Sequence, residues 1–489
     1  MPIVAKRTDP LREHTGLALV WALSLAPMTT STTIFPFAPA QLQQLWDSEQ
    51  TRFVQTHPGS LALAAQSAQH FLFGVPLHWM RDWPGPTNVF VQQAQGATLR
   101  CADGLAYSDF CLGDTGAMFG HSPAPVAQAI AAQAHHGLTT MLPSTLTARV
   151  GEQLAATFGL PCWQLALSAS DANRFVLRWA RAVTRRRMVL VFDGCYHGAV
   201  DDTLVDCADG ATVPRPSVLG QVHNHAPYTR VVPFNDLGAL EQALADGQVA
   251  CLLAEPALTN CGLVPPEDDF WPQAQALCQR HGTLLVLDET HTLSTAPGGY
   301  ACAHKLTPDM LVMGKAIAGG LPCAVYGFSA AVAQTMVQAK AAAAPGHSGI
   351  GTTLSGNALT LAALHAALTH LHTSATYQPM LTLAAALQTG LQERIARHGL
   401  PWNVTRLGAR MELQYLAHAP RNAQQVRDAD QGPLEALTHL FMLNRGVVLT
   451  PFHHMMLISP STTAAQVQQL LTVFDEWLHT LTHMTARAT

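Results

Sequence analysis

Charge is scarce in this sequence. Asp, Glu, Lys and Arg supply 12% of its 489 residues, about half of the roughly 25% usual in soluble proteins. The formal net charge of −5 leaves no basic stripe, so nucleic acid and acidic membrane surfaces are not expected partners. Paired cysteines are missing too. Ten cysteines are scattered singly, with no CxxC, which speaks against a disulfide framework or zinc site and for a reduced, cytoplasmic protein. "CQRH" (Cys278–His281) has a metal-like spacing but no second pair, and no metal is expected. There is no internal repeat, no low-complexity tract and no apolar run of membrane length. The stretch from Gly16 to Pro27 is too short to span a bilayer. With the basic residues before it, that stretch resembles a secretory signal, yet no small-x-small cleavage site follows directly. Residues 1–27 are therefore read as an additional N-terminal segment, with Met28 as an alternative start.

Apolar character is what the chain has in excess. Hydrophobic residues make up 48%, which implies a large buried fraction and a subunit interface. The 24 histidines matter mainly below neutral pH. At this length two domains are the default. From about residue 105, short apolar runs alternate with helical patterns. "RMVLVFDG", "VACLLAEP", "TLLVLDE", "DMLVMG" and "AVYGFS" read as buried strands, and "DANRFVLRWARAVTRR", "LGALEQALADG" and "DDFWPQAQALCQRHG" as helices. The fold class is therefore α/β, a mostly parallel sheet covered on both faces. In the last hundred or so residues, long helices frame the shorter strands "RMELQYL" and "GVVLTP", which reads as a smaller α+β domain. "VFVQQAQGATLRCADG", before residue 105, is expected to add strands to it.

Ligands of such sheets gather at the carboxyl ends of strands, where Asp288, Lys315 and Tyr196 fall. These are the groups that an aldehyde cofactor with a pyridine ring and a phosphate needs. A lysine in an apolar site forms a Schiff base as a free amine. A carboxylate keeps the ring nitrogen protonated, so that the ring accepts electrons. An aromatic side chain stacks on the ring, and a helix N-terminus receives the phosphate. Lys315, Asp288 and Tyr196 fill the first three roles. "ALSASDANRF" offers the fourth, with Ser168, Ala169 and Ser170 placed just before a helix and Asp171 in its first turn.

These stretches resemble the class III aminotransferases of the ornithine and glutamate-semialdehyde type, pyridoxal-phosphate enzymes of fold type I. The similarity runs from about Val89 to the C-terminus with the motifs in order. "SASDA" stands for the family's phosphate motif, with Ala169 for its glycine and Asp171 for its glutamate. Tyr196, His197 and Gly198 match unchanged. The resemblance makes Asn260, in "EPALTNCGLVPP", a neighbour of the cofactor's phenolic oxygen. It makes Asp288 the pyridinium partner, Lys315 the Schiff-base lysine, and Thr353, in "TTLSGNAL", a phosphate ligand across a homodimer interface. Thr290 and His291 stand where a valine and a methionine or glutamine are common, so the underside of the ring is expected to be more polar.

The resemblance further implies four parts: an N-terminal extension (1–60, partly flexible), an N-terminal part of the small domain (61–105), a large cofactor-binding domain (106–370) and a C-terminal small domain (371–489). Arg81 and Arg410 are the candidates for a substrate carboxylate, with a salt bridge elsewhere as the competing role for each. His197 and the pair His453–His454 read as packing or pocket-wall residues, and Glu289 as a structural ion-pair partner. The expected activity is transfer of an amino group from an α- or β-amino acid to a 2-oxo acid. "TPFHHMMLIS" and the tryptophans of "HWMRDW" suggest a hydrophobic or aromatic side chain on the donor. An aminomutase or racemase on the same cofactor is the alternative. Semialdehyde aminomutases carry a glutamate after the segment matching "LTPFHHMM", and its absence near Met455 argues against that reaction. A non-catalytic cofactor-binding protein is disfavoured by the intact Lys315–Asp288 pair.

Overall fold

The computed structural model describes Phe37 and residues 39–486, with side chains through residue 483. The expectations for residues 1–27 and for Met28 lie outside the described residues. Seven strands form the central sheet, in the order Cys162–Ala166, Ala324–Phe328, Met310–Met313, Leu284–Asp288, Val249–Ala254, Met188–Phe192, Thr229–Val232. Six run parallel, and Ala324–Phe328 is antiparallel to both neighbours. Every residue of Val249–Ala254, Met310–Met313 and Ala324–Phe328 is buried. Successive strand side chains point to opposite faces, so both faces are covered, which is why these strands read as unbroken apolar runs.

The helix Ala169–Thr184 packs on five strands of the central sheet. Its buried Ala172, Phe175, Val176 and Ala180 recur at the three- and four-residue spacing of one helical face. Its start is set by Ser168, whose side chain accepts the Asp171 N–H. Ser170 thus lies inside the first turn, where the sequence had suggested a position before the helix. Phe270–Arg280 packs on Leu284–Asp288.

The two ends of the chain share a second sheet. Val91–Gln95, Thr98–Cys101 and Ala106–Asp109 pair antiparallel, and Val447–Val448 joins the last of them in parallel. "GVVLTP" therefore contributes only a two-residue strand. A third sheet, Asn403–Leu407, Arg410–Gln414 and Met455–Leu457, is antiparallel throughout. The helix Pro39–Thr56 docks on Gly432–Leu443. It buries Leu42 and Phe53, each worth about 1.5–3 kcal/mol, and Glu49 pairs with Arg445 at 3.1 Å. The four-part division of the chain stays a proposal. The strand starting at Ala106 belongs with the sheet before it. Among the described residues no helix is long and apolar enough to cross a membrane.

Candidate active site

The carboxyl ends of five central strands converge on one cleft. Asp288 closes the middle strand and is 4% exposed. Its Oδ2 accepts from Asn173 Nδ2 at 2.8 Å and faces His197 Nδ1 at 3.0 Å. Its Oδ1 accepts from the Thr290 N–H at 3.1 Å and the Thr290 hydroxyl at 2.7 Å. Burial alone would raise this carboxyl, but His197, Thr290 and Asn173 hold it below its ordinary value of 3.8. Burial likewise works against the His197 cation, yet Cys195 and Asp288 push that ring up to about 10. The result is a fixed anion with a paired cation behind it. His197 is more than packing, because it orients the carboxylate.

Lys315 follows the next strand and meets a different neighbourhood. Its Nζ is 2.6 Å from Asp114 Oδ2 and 2.8 Å from His291 Nε2. Both Asp114 (φ 48) and Lys315 (φ 45) adopt left-handed backbone, a strain of the kind that clusters at functional sites. Burial is the largest single influence on the Asp114 carboxyl and would raise its pKa, although its side chain is 42% exposed. Lys315, His291 and Arg410 hold it well below the usual carboxylate range. His291 is pressed well below 6.5, first by burial and then by the Lys315 charge.

The other parts of the site follow from close packing. A Cβ on Gly198 (φ 82) would sit 2.0 Å from Ser170 Oγ, and one on Gly314 would sit 2.8 Å from Ala169 Cβ. Only glycines let the His197 and Lys315 loops press against the start of the Ala169–Thr184 helix. Ser170 Oγ accepts the Ala199 N–H at 3.1 Å. The Asp171 N–H goes to Ser168 Oγ and the Ala172 N–H to the Ser168 carbonyl, which leaves the Ala169 and Ser170 N–H groups for an anion. Tyr196 is 44% exposed, and its backbone N–H is held by Glu255 Oε1 at 3.1 Å. The other oxygen of Glu255 takes the Thr259 hydroxyl, to which Asn260 Nδ2 donates at 3.3 Å.

These groups fit a pyridine aldehyde phosphate. The buried Nε2 of His197 and Oδ1 of Asn173 have no protein partner among the described residues. The helix start offers donors to the phosphate, and Asp288 offers an anion to the ring nitrogen. The cleft thus brings together Ala169, Ser170, Tyr196, Asn260, Asp288, Lys315 and also Arg410. Arg410 is 1% exposed and reaches His291 Nδ1 at 3.0 Å. Arg81 lies on the turn His78–Asp82, with its guanidinium 5.0 Å from the Phe73 ring. Thr353 lies exposed in the loop before the helix Ala358–His370.

Other readings need correction. Glu289 accepts the N–H groups of Tyr300 and Ala301 and the Thr292 hydroxyl instead of pairing with a cation, and burial pushes it up to about 7. His453 donates into the cluster, 2.9 Å from Glu412 Oε2. The expected apolar wall is not what touches Lys315. Met455 and Met456 are buried in the small antiparallel sheet, and Trp83 packs edge-on against His439. Asp114, Thr115, Asn173, Glu255 and Glu412 were missed from sequence. The one signal for Asp114 was its place in the glycine-flanked "LGDTGAM". No group of three or more His, Cys, Asp or Glu among the described residues is arranged to hold a metal ion.

Residues 80–478 match the family model for class III aminotransferases. A crystal structure of a glutamate-1-semialdehyde-aminomutase from Pseudomonas aeruginosa PAO1 is 46% identical, with a TM-score of 0.89 over 91% of this chain and 100% of that one. A lysine-to-alanine variant of that aminomutase was solved in complex with PMP. Glutamate-1-semialdehyde 2,1-aminomutase of Sorangium cellulosum is 34% identical over 81% of this chain and 90% of its own length. The β-phenylalanine aminotransferase of Variovorax paradoxus shares the fold at 24% identity and a TM-score of 0.80. The chain belongs to the class III aminotransferases and is a pyridoxal phosphate-dependent enzyme of fold type I.

Proposed function

We propose that the enzyme moves an amino group on a small, carboxylate-bearing amino substrate, and that it does so within one molecule, as an aminomutase. The observation that carries this reading is the similarity of most of the chain, at 32–46% identity, to proteins named for moving the amino group of glutamate-1-semialdehyde. The surroundings of Lys315 agree, being charged where a hydrophobic donor would need apolar walls. The sequence-based objection to a mutase was the missing glutamate after "LTPFHHMM". It weakens because Glu412 reaches His453 of that same segment from another strand.

Bound in the cleft, the cofactor would supply an aldehyde to receive the amino group and a ring to withdraw electrons. In this proposal the first-turn N–H groups at Ala169 and Ser170 hold its phosphate, Tyr196 covers its ring, and Asn260 lies near its phenolic oxygen. Asp288 keeps the ring nitrogen protonated. The amine of Lys315 would take and return the proton of the reacting substrate carbon, with Asp114 and His291 within reach of Nζ. Arg81 remains the proposed anchor of a substrate carboxylate.

The test is to supply glutamate-1-semialdehyde with no 2-oxo acid. The expected result is sustained formation of the isomer with its amino group on carbon 1. Turnover only on addition of a 2-oxo acid would overturn the mutase reading. The second reading, a transaminase passing the group from an amino acid to a 2-oxo acid, would then stand, favoured by the absent glutamate near Met455. A cytoplasmic homodimer is also proposed, with Thr353 completing the partner's phosphate site. Thr353→Ala should weaken pyridoxal phosphate binding several-fold, and a fully active monomer in sedimentation at assay concentration would contradict shared sites.

A further inference from the structure

The Lys315 amine touches two side chains that favour opposite proton states. Asp114 Oδ2, 2.6 Å away, only accepts and favours an ammonium. His291 Nε2, 2.8 Å away, donates or accepts according to what its other nitrogen does. That other nitrogen, Nδ1, lies 3.0 Å from Arg410 Nη1, and a guanidinium has donors only. The contact is a hydrogen bond only if Nδ1 carries no proton. In the neutral ring the proton then sits on Nε2, directed at Nζ, and Nζ must present a lone pair to receive it. The Thr115 hydroxyl, 2.9 Å from Nδ1, fits the same state as a second donor.

Arg410 has little freedom to leave this position. Its Nε and Nη2 donate to Glu412 Oε1 at 3.0 and 2.7 Å, and Nη2 also donates to the Thr259 carbonyl at 2.6 Å. Its fork is therefore used up inside the protein, which argues against the carboxylate-binding role read from sequence. The groups facing His291 are Lys315, Asp114, Arg410 and Thr115, with Asp288 three residues back along the chain. Glu412 stands behind Arg410, and His453 behind Glu412.

We propose that Arg410 is a positioning residue for Lys315: acting through His291, it keeps the Nζ lone pair available, while Asp114 pairs with Nζ whenever it carries the extra proton. This rests on the reading of Lys315 as the reactive amine. An ammonium has no lone pair, so one proton must leave Nζ for water before the nitrogen can add to an aldehyde carbon, with loss of water. The arrangement provides both arms of that exchange, with Asp114 favouring the proton on nitrogen and the Arg410–His291 contact favouring it off.

The experiment follows attachment of pyridoxal phosphate to the full-length protein, freed of cofactor by dialysis, across a pH series. Attached cofactor is fixed with borohydride, counted by intact mass and located by peptide mapping. Arg410→Met should move the pH midpoint of attachment upward and slow attachment about tenfold at neutral pH, as one pKa unit implies. His291→Phe keeps an aromatic ring but removes the relay, so its midpoint should move upward as in Arg410→Met. Arg410→Met added to it should then shift nothing further. An equal further shift in the His291→Phe background would mean that Arg410 acts by charge alone and would overturn the proposal. An unmoved midpoint in Arg410→Met, with Lys315 still labelled, would also overturn it while sparing the functional reading. Labelling elsewhere would overturn both. If Arg410→Met fails to fold, the paired exchange Arg410→Gln with Glu412→Gln takes its place and is read in the same way.

Discussion

Asp288 and Lys315 close neighbouring strands, yet their surroundings differ in kind. Asp288 is 4% exposed and has four hydrogen-bond contacts, from Asn173, His197 and twice from Thr290. The Lys315 side chain is 30% exposed and, among the described residues, only Asp114 and His291 contact its nitrogen. A group that has only to hold one charge state gains from a full set of donors, because each deepens the preference for that state. A group that must bond, be released and pass a proton needs neighbours that leave more than one state accessible. The chain builds the first kind from residues on rigid elements. It builds the second beside two positions of strained backbone.

Removing the movable group should have the largest effect. Lys315→Ala is expected to lower turnover by at least about a thousandfold, and borohydride should no longer fix pyridoxal phosphate to the chain in intact-mass measurements. Neutralising the fixed group comes next. Asp288→Asn keeps the shape and removes the charge, and kcat should fall on the order of 100-fold, the scale of losing one preorganised electrostatic contact. If Asp288→Asn kept full kcat, the fixed anion would not be needed.

Arg81 tests whether substrate anchoring lies outside both groupings. Arg81→Ala should cost roughly 2–5 kcal/mol in kcat/KM for carboxylate-bearing substrates, appearing as a raised KM and much less for simple amines. Equal losses for both would make Arg81 structural. The smallest effect is on stability. His197 is held up to about 10 against an ordinary 6.5, so the folded protein keeps a proton that the unfolded chain has already lost. That contribution is complete below about 6.5 and is lost as pH rises towards about 10, because there the unfolded state binds fewer protons. His197→Gln should flatten this alkaline decline in Tm.

Much of the framework was legible because it is local. An unbroken apolar run such as "LLVL" has one economical home, a strand covered on both faces, and a carboxylate at its end must lie at the sheet edge. The same reasoning placed Lys315 after "MLVM", and the helix start proposed for the phosphate was read from "ALSASDANRF", small residues just before a helical pattern. Asp114, Glu255 and Glu412 carried no comparable signal, since a single acid near glycines or in a short strand is ordinary by itself. Arg81 and Arg410 looked alike in sequence, and only packing distinguished them: one lies over Phe73, the other is buried against Glu412.

The sequence by itself determined the alternation of strands and helices, the chemistry placed at the strand ends, and the glycines at 198 and 314 that permit close approach. Only the tertiary structure decided what faces the lysine. Asp114 comes from 201 positions earlier in the chain than Lys315, and Arg410 from 119 positions beyond His291. Contacts at such separations are set by how sheets and loops pack, and no local periodicity encodes them.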